Sequence, residues 1–189
     1  MYSFWRPQDQ HGWLGQWHKT NFVFEQEHYD LLPDELSNLS IMEDHPEVIE
    51  SISTHDYNCA EQFMMLGKAY LFDDRIAAQK IANSKNPAQQ KAIAKLVNGF
   101  DDEKWYTYAE DIVTIGNYLK FSQNATLKKR LLDTGDAILV EGSPYDREWG
   151  VGLHFLDRKI GDRKNWKGKN RLGKCLETVR RLLLESAES

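Results

Sequence analysis

A chain of 189 residues with 41% hydrophobic and 28% charged side chains is of a size and composition to fold around one core, which excludes the disordered and fibrous classes. Its net charge of −5 excludes non-specific attraction to a polyanion and leaves room for a local basic patch, for which the basic residues of 158–181 are the candidate. The 12% aromatic content, six Trp among it, is enough to line a pocket as well as fill a core.

In chain order, residues 2–5 and 21–25 are short, aromatic and β-prone, with Gly12, Trp13, Gly15 and Trp17 in a loop between them, so a small sheet is expected here. Residues 26–56 are acidic, contain Pro33 and Pro46, and show two short helical patterns around 33–40 and 46–53, the marks of an insertion or lid. The stretch NCAEQFMMLGKAY at 58–70 predicts a helix. On it Glu61 and Lys68 are seven residues apart, nearly two turns, so they project from one side about 10 Å apart. A capping box between Asn58 and Glu61 and a solvated Lys68 would explain the same residues without chemistry.

Asp73 or Asp74 can cap a helix through Asn83, and Pro87 opens another that runs to about Val97. Trp105, Tyr108, Ile112, Ile115 and Leu119 recur at helical spacing between Asp101 and Phe121, and a further helix runs from Ala125 to Leu132. AILVEGSP at 137–144 reads as a buried strand that delivers Tyr145, Asp146 and Trp149 into the loop YDREWGVG. The 157–170 segment is polar and irregular, and an amphipathic helix starts at Leu172. Together these patterns predict a helix-rich α+β fold in a single domain.

Cys59 and Cys175 stand in no metal-type spacing and read as buried, reduced side chains. The six His are scattered and read as surface or packing residues, and no Walker loop, dinucleotide fingerprint or Gly-x-Ser-x-Gly elbow occurs. No metal and no cofactor is therefore expected. No stretch approaches membrane-spanning length, and the start MYSFWRPQDQ lacks a basic region followed by an apolar run, so a cytosolic protein without membrane contact is expected.

What remains is an inventory of carboxylates and indoles: Glu61, Asp111, Glu141 and Asp146, with Trp105 and Trp149. That set suits cleavage at a sugar carbon. One carboxylate can stabilise an oxocarbenium-like centre or activate water, a second acid can protonate the leaving group, and an indole can stack on a base.

CAEQFMMLGKAYLF, Trp105, KFSQN at 120–124, LLDTGD, VEGSPYDREWGVG and GKNRLGKCLETVR, in this order and spacing, resemble the NADAR (YbiA-like) family. GWLGQW at 12–17 is a looser likeness to the family's Gly-Phe-Leu-Ser-Asn-Phe element, and 26–55 matches nothing in it. The resemblance implies a YbiA-like fold and an N-glycosidase that needs no metal. Its substrates would be ribosylamino-pyrimidine phosphates of riboflavin biosynthesis or ADP-ribosyl adducts on guanine, free or in a modified nucleic acid. Carried over by position, the catalytic acid falls on Glu61, the tryptophan on Trp105, the loop aspartate on Asp146 and the lysine on Lys68. Trp17, Lys120, Trp149, Gly150 and Asn170 fall on substrate-binding positions. Departures at Gly15, Gln16, Trp17 and Ala94-Lys95, and a missing Arg after Trp105, bear on which substrate is taken. The expectation is that Glu61 and Asp146 meet beside an indole at one anomeric carbon. A partly desolvated Lys68 offers an imine with the ring-opened sugar. The alternative is a non-catalytic module that binds ADP-ribose or nucleic acid.

Overall fold

Where aromatic and β-branched residues alternate over a few positions, the chain is extended: β1 (Tyr2–Phe4), β2 (Phe22–Phe24), β3 (His55–Tyr57) and β4 (Leu139–Glu141). The computed structural model describes residues 1–188. Four short helices fill the acidic stretch: α1 (Gln26–Asp30), α2 (Asp34–Ser37), α3 (Ser40–Asp44) and α4 (Pro46–Ile52). They are followed by α5 (Ala60–Leu71), α6 (Arg75–Asn83), α7 (Pro87–Ala94), α8 (Asp102–Ser122), α9 (Ala125–Leu132) and α10 (Arg171–Glu188). The class is the helix-rich α+β expected from the sequence.

The backbone gathers into two compact units, one made of Met1–His18 with the chain from Phe121 onward, the other of Lys19–Lys120. In the first, β1 and β4 pair in parallel, Tyr2 opposite Leu139 and Phe4 opposite Glu141, and α10 packs on β4. In the second, β2 and β3 pair antiparallel, Phe22 opposite Tyr57 and Phe24 opposite His55. The two N-terminal strands thus belong to separate two-stranded sheets, not to one small sheet as their proximity in sequence predicts. β3 has only three residues and a polar start, HDY, which is why hydropathy alone passes over it.

The core of the second unit is α5, on which α4, α6 and α7 all pack. Ten of its twelve residues are buried, eight of them apolar or glycine and two, Glu61 and Gln62, polar, so it is enclosed nearly all round. Its contact with α8 is set by two glycines. A Cβ on Gly67 would come within 2.7 Å of Ile112 Cγ2, and one on Gly116 within 2.6 Å of Phe63 Cδ1. Moving toward the C-terminus on α5 moves toward the N-terminus on α8, so the two helices run antiparallel with their backbones close. The ends are well formed: Asp74 Oδ1 accepts from Ala77 N–H, Asn86 Oδ1 from Ala88 N–H, and Pro87 fills the first position of α7. α7 ends at Ala94, short of the Val97 that its periodicity predicts.

Phe63 is fully buried, its ring packed against Phe22, Phe24 and Tyr57. Gly116→Ala is therefore expected to cost about 1–3 kcal/mol in overpacking, offset by about 1 kcal/mol of helix propensity. Urea unfolding should show a net loss of stability, part of which Phe63→Leu in the same background recovers.

Candidate active site

α5 starts without a side-chain cap at Cys59. The residue that reaches back is Gln62, whose Oε1 accepts from Asn58 N–H at 2.9 Å; the capping box expected between Asn58 and Glu61 is replaced by this contact. Gln62 Nε2 lies 3.0 Å from Ala82 O, 3.2 Å from Ile81 O and 3.3 Å from Ser84 O, the carbonyls left over at the end of α6. Gln90 Nε2, on α7, donates to Ser84 O and to Asn58 Oδ1, and its Oε1 accepts from the Cys59 thiol. Two buried glutamine amides thus tie three helices to one point. Glu61, one residue from Gln62, is carried into the interior at 3% exposure. Burial pushes the Cys59 thiol up to about 11, so it is a packing residue and not a nucleophile.

Lys68, two turns along α5, is half-buried, not solvated. Its Nζ lies 3.8 Å from the centre of the Phe100 ring and 5.5 Å from that of Trp105. Burial lowers its pKa, partly countered by Asp102. Trp105 is itself only 3% exposed, so its ring is chiefly a wall for the ammonium. Within this unit the chain brings Lys68 and Trp105 together. It adds Phe100, which the sequence reading passes over because it sits in a loop outside any periodic pattern. Gln62 and Gln90 are missed too, since an amide's partners are invisible in a helical pattern.

In the first unit, Asp146, Trp149, Gly150 and Asn170 share one loop system. Asp146 Oδ1 accepts from the N–H groups of Glu148 (3.0 Å) and Trp149 (2.8 Å), while Oδ2 takes no part in these bonds. The loop is stitched by backbone bonds from Val151 N to Glu141 O, Lys169 N to Arg147 O and Leu172 N to Trp149 O. Gly150 lies where a Cβ would be 2.8 Å from Glu141 O, so only glycine allows the approach. Asn170 is buried, with Oδ1 accepting from Glu141 N–H and Nδ2 donating to Leu139 O; its side chain is spent on the edge of β4. Gly150 and Asn170 therefore build the loop that presents the half-buried Asp146 and Trp149. Trp17 is exposed. Glu61, Lys68, Trp105 and Lys120 belong to one unit and Asp146 to the other.

Both cysteines are free and buried. Among the described residues, Glu25, Glu27 and His28 hold ligand-type atoms within 4.8 Å of one another at the start of α1. Acidic side chains at a helix N-terminus are explained by its dipole. No helix among the described residues is long and apolar enough to cross a membrane.

Lys120, near the end of α8, is 0% exposed, and burial pushes its ammonium down to about 7 from 10.5, with the Cys59 thiol opposing. Between those values the unfolded chain holds a proton that the folded chain has released, so the stability from this residue rises with pH. The penalty for the buried charge is present in full below pH 7 and fades above it. Chemical denaturation of the wild type and Lys120→Met at pH 6, 8 and 9.5 is expected to show the difference moving steadily in favour of the wild type.

A family model for the NADAR domain matches residues 3–184. An N-glycosidase of Acanthamoeba polyphaga mimivirus is 43% identical over 125 residues, which is 66% of this chain and 74% of that protein. A riboflavin biosynthesis protein of Vibrio vulnificus is 32% identical over 120 residues, 64% of this chain but only 30% of that protein. The NMR structure of the Escherichia coli protein YbiA matches the whole of this chain over 88% of its own length, with a TM-score of 0.68 at 21% identity, a likeness of fold. A family match that runs almost from end to end places this chain in the NADAR domain family.

Proposed function

We propose that the protein is an N-glycosidase that hydrolyses the C–N bond between a ribose and a base or amine. The observation that carries this reading is Glu61, a carboxyl buried in the first turn of α5 and fixed there through the Gln62 network, within the family-matched part of the chain. The name of the viral relative supports the reaction, and the name of the Vibrio relative supports a substrate connected with riboflavin biosynthesis. The substrate is either a ribosylamino-pyrimidine phosphate or an ADP-ribosyl adduct on guanine, and the reaction needs no metal.

In the proposed mechanism Asp146, whose Oδ1 is engaged by backbone N–H groups, offers Oδ2 to the ribose hydroxyls and to positive charge at C1′. Glu61 exchanges a proton with the leaving base or the attacking water. The C1′–N bond breaks, the base leaves with a proton, and water supplies the new C1′ hydroxyl. In a variant of this route Lys68 replaces water as the nucleophile: its amine, less often protonated than a solvated lysine, displaces the base from C1′ of the ring-opened sugar to form an imine, and water then hydrolyses the imine to the free sugar and the free amine. Trp105 walls that amine, and Trp105 or Trp149 is the indole proposed to stack on the base.

Incubating the pure protein with ADP-ribosylated guanosine and, separately, with a ribosylamino-pyrimidine phosphate is expected to release base from one of them. Glu61→Gln and Asp146→Asn should each lower kcat by roughly 100-fold or more with the circular dichroism spectrum unchanged. Wild-type rates in both would end the assignment. Borohydride added during turnover should leave a covalent adduct on Lys68; turnover without one removes the imine and leaves direct attack by water.

A further inference from the structure

α6 and α7 pack side by side on α5 and leave an outward groove of about 570 Å³ lined by Lys80, Asn83, Ser84, Gln89, Ala92 and Ile93. Ile76, Lys80 and Asn83 recur along one face of α6, and Gln89, Ile93 and Leu96 follow the same spacing along and just past α7. Ile76 is 68% exposed and Leu96 80% exposed, so two large aliphatic side chains stand open beside this groove. Every charged residue from Arg75 to Lys95 is basic: Arg75, Lys80, Lys85, Lys91 and Lys95.

Residues 25–56 of the same chain are the reverse, with ten Asp and Glu and no Lys or Arg. Most of the apolar residues of α2, α3 and α4 point inward, but Leu31, at the end of α1, is 76% exposed and stands among the exposed carboxylates Glu27, Asp30 and Asp34. The chain therefore carries both a groove with an aliphatic wall at Ala92 and Ile93 flanked by Lys80 and Lys85, and an apolar knob with an anionic rim.

We infer that the α6–α7 groove receives the α1–α2 segment of a second copy of this chain. Leu31 seats against Ile93 and Ala92, while Glu27, Asp30 and Asp34 face Lys80 and Lys85. Reciprocal exchange between two copies closes a two-fold dimer, and unreciprocated contact makes an open chain. The apolar seat is small and the rim is charged, so the association is weak and salt-sensitive. It stands apart from the glycosidase reading and does not depend on it.

Sedimentation velocity on the full chain from about 5 to about 500 µM tests it. At low salt the average mass is expected to climb with concentration toward twice the monomer mass, and about 0.5 M salt returns it to the monomer. Lys80→Glu with Lys85→Glu, and separately Glu27→Lys with Asp30→Lys, should each abolish the climb. All four positions are exposed, so both variants keep the wild-type circular dichroism. An equimolar mixture of the two variants should associate again, because each supplies the surface that complements the other. A wild type that stays monomeric throughout overturns the proposal, as does association that both variants retain or a mixture that fails to recover it.

Discussion

The amide of Gln62 is the contact on which the second unit depends. Its oxygen turns the chain into α5 by accepting from Asn58, and its nitrogen gathers the loose carbonyls at the end of α6. An apolar residue there would leave the part-buried Asn58 N–H and Ala82 carbonyl without the side-chain partner they have now, at up to about 1–3 kcal/mol each. Gln90 repeats the device from α7 and draws Cys59 into it. Because these bonds fix the first turn of α5, they also fix where Glu61 stands. Stability and the candidate chemistry therefore share one set of hydrogen bonds.

Lysines in the same unit are handled in two ways. Lys68 rests on the faces of Phe100 and Trp105, where ring quadrupoles hold an ammonium without a carboxylate in contact. Lys120 is wholly enclosed. For both, desolvation is the largest influence, and both are shifted toward the neutral amine. Lys104, by contrast, donates to Leu71 O at the end of α5, the ordinary place for a cation on a helix.

Much of this was legible in the residues. The periodicities of 58–70, 101–121 and 172–183 became α5, α8 and α10, because long apolar faces leave little choice of structure. Asp74 and Pro87 began helices as their chemistry requires. Strand pairing was not legible, since β1 finds a partner far away in sequence and β3 carries almost no hydropathy signal. Nor was the division of labour between Glu61 and Gln62, because either side chain can close a helix start and only the carbonyls of α6, brought up by tertiary packing, decide between them. The resemblance carried Asp146, Gly150 and Asn170 forward together, and their geometry separates them: Asn170 and Gly150 shape the loop, while Asp146 keeps one carboxylate oxygen outside it.

The pairing of β1 with β4 has a consequence for how the molecule is made. A ribosome releases Tyr2–Phe4 well before the strand that completes their hydrogen-bond ladder, since the 134 residues from 5 to 138 emerge before Leu139–Glu141 clears the exit tunnel. All of Lys19–Lys120 is synthesised in the interval. The amino-terminal strand must wait, its edge open, while the residues between are already free to fold.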